Sequence, residues 1–417
     1  MMDDGRMHRR RFRMLWGGQF VSDLGGQLTT FALPAIAIVS LHASALQVGA
    51  LQAFEFAVVP LLATLAGVVA DRHPRRPLMI AANVVRLAAL ASIPAASMLH
   101  ALTLAQFFVV GAICGAASVL FDTAYAAFLP ALCGRERHHR ALARMAMSGS
   151  VAEAVGTSGG GMLVQLLGAP FAVLVTVVTY VVSTCNLARI EIADEPASPG
   201  SKAEREGPFA SEASAGFALL ARDPILRAVA LCTATAYLGG AMVTSVFALY
   251  CYRSLHLTPG QLGLILGLAN LGLVGAMLAR RIAVRFGTRA TLAGATLLSA
   301  LGKALFLAHA APLAAVFLGR VLLSFSGPIA ATTQQALQTA NVPDALLGRM
   351  NAAMRTVVWG ALPIGSFLGG VVATVGGVAT TIAIGSVISA LAVGWLAACP
   401  ALSRRRTTTA AATASAA

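Results

Sequence analysis

The chain has 417 residues, of which 58% are hydrophobic and only 11% are charged, less than half the charged fraction of a typical soluble domain. This composition leaves too little polar surface for a soluble fold, so the apolar surplus is expected to face lipid. A net charge of +14 would suit a nucleic-acid-binding protein, but the basic residues are distributed as topology signals, which excludes a nucleic-acid partner.

Twelve apolar runs, each long enough for a membrane-spanning helix of about 20 residues, follow one another along the chain. They fall at residues 14–40, 46–70, 77–99, 102–130, 143–168, 170–190, 224–250, 259–283, 288–310, 312–338, 346–375 and 377–399. The runs predict an all-α membrane protein with twelve transmembrane helices. The first run lacks a small-residue cleavage site, so it is expected to be retained as a helix.

The Lys and Arg residues between the runs set the orientation of the chain. If the N-terminus is cytoplasmic, all of them fall on the inner side except Arg253, while Arg86, Lys303 and Arg320 lie inside predicted spans. Short cytoplasmic loops are rich in Lys and Arg, so this distribution predicts a multi-pass protein of the inner membrane with both termini in the cytoplasm.

One long polar stretch, from Glu191 to about Asp223, interrupts the apolar runs near the middle of the chain. It contains Pro, Gly, Ser and mixed charges, which is typical of a flexible linker. The predicted organisation is an N-terminal six-helix bundle (1–190), a cytoplasmic linker (191–222), a C-terminal six-helix bundle (223–400) and a disordered cytoplasmic tail (401–417).

The two halves carry a related glycine-rich segment. The stretch GTSGGG from Gly156, followed by Gly168, aligns with GSFLGG from Gly365, followed by Gly377, at a shift of 209 residues. Many secondary transporters consist of repeated halves around a midplane site, so the shift predicts two pseudo-symmetric bundles. Taken singly, each glycine is also explained by close helix packing alone.

The loop between the second and third runs has the sequence GVVADRHPRRPL (residues 67–78). This pattern resembles the signature loop of the major facilitator superfamily. The resemblance implies that Gly67 allows a close helix contact, that Asp71 faces a helix N-terminus in the other half, and that a charge relay runs through the arginines to an acid on the fourth helix. The gating residues implied by the resemblance are Gly67, Asp71, Arg72, Arg75, Arg76 and Asp122.

The chain departs from the family pattern in three places, and two further stretches narrow the resemblance to one branch of the family. Pro74 replaces the second glycine of the family loop, and the equivalent segment of the second half, residues 275–289, lacks the Asp. Residues 20–27 and 121–130 resemble the branch that contains the enterobactin exporter and the macrolide efflux permeases. Thr157 stands where drug:proton antiporters often carry Pro, which weakens the case for proton-coupled drug export.

Ionisable residues inside membrane spans are costly and mark function by default. Asp23, Glu55 and Glu153 are candidates for proton coupling. Burial raises the pKa of a carboxylate and a nearby cation lowers it, so a carboxylate subject to both effects can alternate between its protonated and ionised states. A static buried salt bridge is the open alternative. Arg86 and Lys303 fall on helices that are usually peripheral in this family, so structural ion pairing is expected for them.

Other polar and aromatic residues in the spans are candidates for contacting a substrate, although packing also explains residues of this kind. The substrate-cavity candidates are Gln27, Gln52, Tyr125, Tyr237, Arg320, Gln334, Gln335 and Trp359.

No ATPase motif and no zinc, nucleophile–base or dinucleotide constellation is present, so an enzyme is not expected, nor any cofactor or metal. The six cysteines show no ligand spacing. The leading function is proton-coupled export of a small amphipathic molecule, siderophore- or drug-like, by a monomer that works by alternating access. The alternatives are an uptake permease on the same fold and a membrane sensor or scaffold that transports nothing.

Overall fold

The computed structural model describes residues 2–133, 135–190, 209–270 and 275–400, and within these ranges it is helical and without β-strands. The first half contains α1 (Met2–Ala35), α2 (Ala45–Arg72), α3 (Arg75–Met98), α4 (Leu104–Cys133), α5 (Arg135–Leu167) and α6 (Ala169–Ala188). The second half contains α7 (Phe209–Arg222), α8 (Pro224–Leu249), α9 (Pro259–Ala269), α10 (Gly275–Phe286), α11 (Thr288–Leu305), α12 (Pro312–Asn341), α13 (Asp344–Gly376), α14 (Val378–Leu391) and α15 (Val393–Ala397).

These helices account for the twelve predicted spans. Each of α1 to α6 matches one run in the first half, and α8, α9 with α10, α11, α12, α13, and α14 with α15 match the six runs of the second. Seven helical segments among the described residues are by themselves long and apolar enough to cross a membrane. α1 and α8 each continue into one turn of π-helix, at Ile36–Ser40 and Tyr250–Ser254.

Side-chain and backbone signals explain several helix boundaries. α2 begins with a capping box, in which the Ser44 hydroxyl accepts a hydrogen bond from the Gln47 amide and the Gln47 side chain accepts one from the Ser44 amide. Asp223 caps the N-terminus of α8, and its carboxylate accepts hydrogen bonds from the amides of Ile225 and Leu226 at 2.8 and 3.0 Å.

The chain forms two compact units. Among the described residues, the first unit contains α1 to α6 and most of α9, and the second contains α7, α8 and α10 to α15. This differs from the bundle boundaries predicted from the sequence, because α9 packs with the first unit. An added Cβ at Gly161 of α5 would lie 2.7 Å from the Gly263 Cα of α9, so the two helices meet at their glycines.

The second half of the predicted flexible linker is helical. α7 covers residues 209–222 and packs against α13. Gly216 lies against the Arg349 backbone and Leu220 is buried, so apolar and small residues provide the docking face. The polar composition of residues 191–208 dominated the sequence pattern; those residues and the tail 401–417 lie outside the described part of the structure.

The 209-residue repeat appears in the backbone of both units. Gly168 and Gly377 adopt φ values of 81° and 85°, a region that glycine enters at little cost, and each directly precedes the next helix. Added Cβ atoms at Gly156 and Gly365 would collide with the first predicted span of their own half, α1 and α8 respectively. The aligned glycines therefore make the same packing contact in each unit.

Candidate transport site and gating motif

A buried arginine lies among aromatic rings in the first unit. Arg86 of α3 is only 6% exposed, and its Nη2 donates to the Ala117 carbonyl of α4 at 3.2 Å. Its guanidinium carbon lies 4.9 Å from the ring centre of Phe121 and 5.6 Å from that of Tyr180, which is cation–π distance. α3 packs against both α4 and α6, and this packing directs Arg86 inward.

Two carboxylates interact with the Arg86 charge from neighbouring helices. Asp23 of α1 and Asp122 of α4 lie within electrostatic range of the Arg86 charge. Gln19, one turn before Asp23, donates to its Oδ1 at 2.7 Å. Asp23 is half-buried and Asp122 is exposed. Asp23 and Asp122 were expected from the sequence to have different roles, and Arg86 was expected to be peripheral; the structure instead places Arg86 inside the unit.

Asn83 and Tyr180 lie close to Arg86, and neither was expected from the sequence to contribute to a site. Asn83 is fully buried one turn before Arg86 and donates to Ser183 of α6 at 3.3 Å. Tyr180 is buried on α6 and presents its ring to the Arg86 guanidinium. The spacing of three residues between Asn83 and Arg86, in an otherwise apolar helix, was the signal that both lie on one inward face.

The other two proton-coupling candidates have different surroundings. Glu55 of α2 packs against α4, where its Oε1 would lie 3.4 Å from a Cβ added at Gly111. Glu153 of α5 is exposed, and its backbone carbonyl accepts a 2.7 Å hydrogen bond from the Thr157 hydroxyl. α5 runs without a break through Thr157, where a proline would remove a backbone hydrogen bond.

The arginines of the signature loop bind the ends of neighbouring helices in the first unit. Arg75 donates to the Ala127 carbonyl of α4 at 3.2 Å. Arg76 donates to the carbonyls of Leu187 and Ala188, the last residues of α6. A cation at a helix C-terminus satisfies free carbonyls and favours the helix dipole. Both arginines therefore tie the start of α3 to the rest of the unit.

The structure describes the side chains of some, but not all, of the other residues in the signature loop. Arg72 is exposed in the last turn of α2, and Pro74 directly precedes α3. A Cβ added at Gly67 would meet no described atom within 4 Å, so the close helix contact implied by the resemblance is not seen in the described part of the chain. The Asp71 side chain lies outside the described residues, so the relay from Asp71 to Asp122 stays a prediction.

Three substrate-cavity candidates lie in the first unit. Gln27 of α1 is half-buried beside Gly156 of α5. Gln52 of α2 has a buried Oε1 without a hydrogen-bond partner among the described residues. Tyr125 stacks on Phe121 with ring centres 6.1 Å apart, which joins it to the polar layer around Arg86.

The candidates of the second unit each have a contact or an exposure of their own. Arg320 lies 5.8 Å above the Phe247 ring, and Trp359 is 5.5 Å from the Arg355 guanidinium. Gln334 accepts from the Thr233 hydroxyl at 3.0 Å. The exposed candidates are Tyr237, Gln335 and Trp359.

The ion pairing expected for Lys303 is not what the structure shows. Lys303 is 6% exposed, and its ammonium donates to the Ser389 hydroxyl of α14 at 2.8 Å. The spans of the second half contain no Asp or Glu, because Glu212 lies in α7, before the first of these spans, and Asp223 and Asp344 lie where α8 and α13 begin. The carboxylates within the spans are thus confined to the first half.

Within the described residues, no three His, Cys, Asp or Glu side chains come together as a metal site.

The transmembrane secretion effector family model matches residues 6–415. No curated protein matches the sequence significantly.

Solved transporter structures share the fold. A bacterial homologue of the iron transporter ferroportin, in its inward-facing state, has 17% identity and a TM-score of 0.74, over 93% of this chain and 98% of that one. The nucleoside transporter NupG has 12% identity and a TM-score of 0.76 over the same shares. A bacterial homologue of the lysosomal transporter Spinster, in its occupied state, has 14% identity and a TM-score of 0.70, over 94% and 96%. The chain therefore belongs to the transmembrane secretion effector family of the major facilitator superfamily, and it is a multi-pass membrane transporter rather than an enzyme.

Proposed function

We propose that the protein is a secondary active exporter, driven by proton exchange, of a small amphipathic molecule of siderophore or drug type. The observation that carries this proposal is the presence of four ionisable side chains, Asp23, Glu55, Arg86 and Asp122, within the spans of the first unit. Charges are retained in membrane spans where they serve transport or coupling. The family description, a secretion effector, supports export over uptake.

The proposed setting follows from the charge distribution. The protein lies in the inner membrane with both termini in the cytoplasm, because the basic residues concentrate on that side. It works as a monomer in this proposal. Alternating access exposes the carboxylates of the first unit to each side in turn. A proton taken from outside is then released inside as the substrate leaves.

The test is the accumulation of a fluorescent amphipathic cation, ethidium, in cells that express the protein, followed by a panel of neutral and anionic dyes. We expect expression to lower the accumulation of at least one dye several-fold, and a protonophore to abolish the effect. Asp23→Asn and Glu55→Gln should abolish export while the protein remains folded, because neither amide binds or releases a proton at neutral pH.

The outcomes separate the candidate functions. Raised dye accumulation that depends on the protein would identify an uptake permease. Dye levels that never change, together with full biological activity of Asp71→Asn and Arg75→Ala variants, would identify a sensor or scaffold. Export that persists in both carboxylate variants would contradict the proposed coupling.

A further inference from the structure

Residues 251–268 follow α8 in the chain but belong to the first unit. They comprise the connection after α8 and most of α9, and the connection is predicted from the charge distribution to be external. The residues on either side, up to 250 and from 269 onwards, belong to the second unit. This segment, which we call the outer strap, is therefore docked on one unit while both of its chain ends continue into the other.

Glycines on one face of α9 let the outer strap lie directly on α5. A Cβ added at Gly263 would lie 2.7 Å from the Gly161 Cα and 2.9 Å from the Thr157 carbonyl oxygen. One turn further along, a Cβ added at Gly267 would lie 2.6 Å from the Ala154 carbonyl oxygen. Contacts of this kind are van der Waals contacts between backbones, which separate without breaking a hydrogen bond. They position the strap, and polar groups supply the specific ties.

Two hydrogen bonds tie the outer strap to the first unit. The Arg253 Nη2 donates to the carbonyl of Ala43, in the connection between α1 and α2, at 2.9 Å. The Gln165 Oε1, near the end of α5, accepts from the Gly260 amide at 3.0 Å. Arg253 and Gln165 are exposed, whereas Ala43 and Gly260 are buried. Each bond thus joins an exposed side chain to a buried residue, and it can break when the side chain rotates into water.

The bond to Gly260 completes the N-terminus of α9. The first amides of a helix have no acceptor within the helix. Thr258 and Gln261 form a capping box, in which the Thr258 hydroxyl accepts from the Gln261 amide at 3.3 Å and the Gln261 side chain accepts from the Thr258 amide at 3.0 Å. Pro259 has no amide hydrogen. Gly260 therefore carries the amide of this turn that needs an acceptor from elsewhere, and Gln165 provides it.

The first half contains the same turn without the residues that make these bonds. The capping box of α2, at residues 44–47, lies 214 residues before that of α9 in the chain. At this shift, Arg253 corresponds to Val39 and Gly260 corresponds to Leu46. The turn and its capping box therefore form without an arginine or a glycine at these positions. Both residues of the outer strap are explained by its contact with the first unit.

We propose that Arg253 and Gln165 are positioning residues of the transport cycle, whose hydrogen bonds hold the outer strap on the first unit and keep the outer side of the transporter closed. The inference rests on the proposed function, because an exporter needs an outer opening through which the substrate leaves. A hydrogen bond present in only one of two conformations shifts their equilibrium by its own free energy. Release of both bonds frees the strap, and neither side chain binds the substrate or the proton.

The experiment measures how fast a cysteine beneath the outer strap reacts with a thiol reagent that does not cross membranes, added to spheroplasts. The cysteine is introduced as Ser158→Cys on α5, in a protein whose six native cysteines are replaced by alanine. A Cβ added at Gly267 would lie 2.9 Å from the Ser158 Cβ, so α9 covers this position. We expect slow labelling in this parent protein.

Paired substitutions test the two hydrogen bonds. Gln165→Leu and Arg253→Ala should each raise the labelling rate several-fold, and the double variant should label faster than either, because the closed conformation loses a bond in each case. Gln165→Glu keeps an acceptor for the Gly260 amide and Arg253→Lys keeps a donor for the Ala43 carbonyl, so both should label nearly as slowly as the parent. Arg144→Ala removes an exposed arginine at the opposite end of α5 and should change nothing.

Three results would overturn the proposal. Equal rates in the Gln165→Leu and Gln165→Glu variants would show that the bond to Gly260 does not hold the strap, and a parental rate in the double variant would remove both residues from the closure. An unfolded variant labels fast from either side, so Ser150→Cys, exposed toward the predicted cytoplasmic end of α5, is labelled in everted vesicles. A rise there as well would indicate general loosening instead of an outer opening.

The labelling needs no substrate, so it is independent of the proposed function. If the rates change as expected but proteoliposomes show no proton-driven dye transport, the role of the outer strap stands and the proposed exporter function fails.

Discussion

At the scale of single residues, the arginines of the first unit differ in what they bind, and sequence alone does not distinguish them. Arg76 reaches two backbone carbonyls at the end of α6, whereas Arg72, four residues earlier, is exposed. Both carry positive charge on the side predicted to be cytoplasmic, and both belong to the signature loop. Their contributions to stability should therefore differ.

We expect Arg76→Ala to lower the free energy of unfolding by about 1–2 kcal/mol, because charged hydrogen bonds to the α6 carbonyls are lost. Thermal unfolding of the purified protein in detergent measures this as a fall of several degrees in Tm. Arg72→Ala is the matched control and should leave Tm unchanged. Equal Tm values for the two variants would show that the Arg76 contacts do not hold α3 to α6.

The neighbours of the Arg86 side chain are not predictable from the sequence. Its position within a span was evident from the hydropathy pattern, but the side of α3 on which it lies depends on how that helix is rotated in the bundle. Packing of α3 between α4 and α6 sets this rotation. Residue spacing along one helix gives relative faces, as for Asn83 and Arg86, but it does not say which neighbouring helix each face meets.

At the scale of helices, small residues decide which pairs come close. A Cβ added at Gly156 would lie 2.8 Å from the Gln27 Cβ of α1, and one added at Gly365 would lie 2.8 Å from the Ala241 Cβ of α8. On the same helices, Cβ atoms added at Gly159 and Gly360 would meet nothing within 4 Å. Each half thus contains one glycine that leaves no room for a Cβ atom and one that does.

Gly156→Ala and Gly365→Ala should each destabilise the protein by about 1–3 kcal/mol, because the methyl group forces apart helices in contact. Gly159→Ala and Gly360→Ala are the controls on the same helices and should be neutral or slightly stabilising, since Ala favours helix. Melting temperatures of the four purified variants give the comparison. A similar loss in the control variants would mean that helix flexibility, and not close packing, explains the glycines.

The existence of the helices follows from sequence more completely than their grouping does. Hydropathy is local, so twelve runs identify the spans, and the shift of 209 residues identifies their duplication. The grouping of α9 with the first unit depends on Gly161 and Gly263, which are distant in sequence. The helix at residues 209–222 was missed because its apolar face is short and follows a polar stretch.

At the scale of the whole molecule, the two halves share a fold but differ in their charges. The spans of the first half contain the carboxylates Asp23, Glu55, Asp122 and Glu153, whereas those of the second half contain no Asp or Glu. The duplicated architecture is therefore used asymmetrically. We propose proton exchange for the first half, within a transport cycle of alternating access.

The orientation of the chain gives a prediction at this scale. A fluorescent protein that matures only in the cytoplasm should be bright when fused after Cys399, and alkaline phosphatase fused there should be inactive, because positive loops are retained inside. Fusion after Arg253, in the connection predicted to be external, should reverse both signals. The opposite pattern would show that the charge distribution misassigns the termini.

Proton exchange against substrate is the central claim, and everted membrane vesicles test it most directly. Respiration acidifies the interior of these vesicles, and acridine orange reports the gradient through its quenched fluorescence. Addition of a dye that the cells export should release the quench with the wild-type protein, because substrate entry consumes the gradient, and should not do so with Asp23→Asn. Dye uptake into wild-type vesicles without any change in the proton gradient would contradict the account.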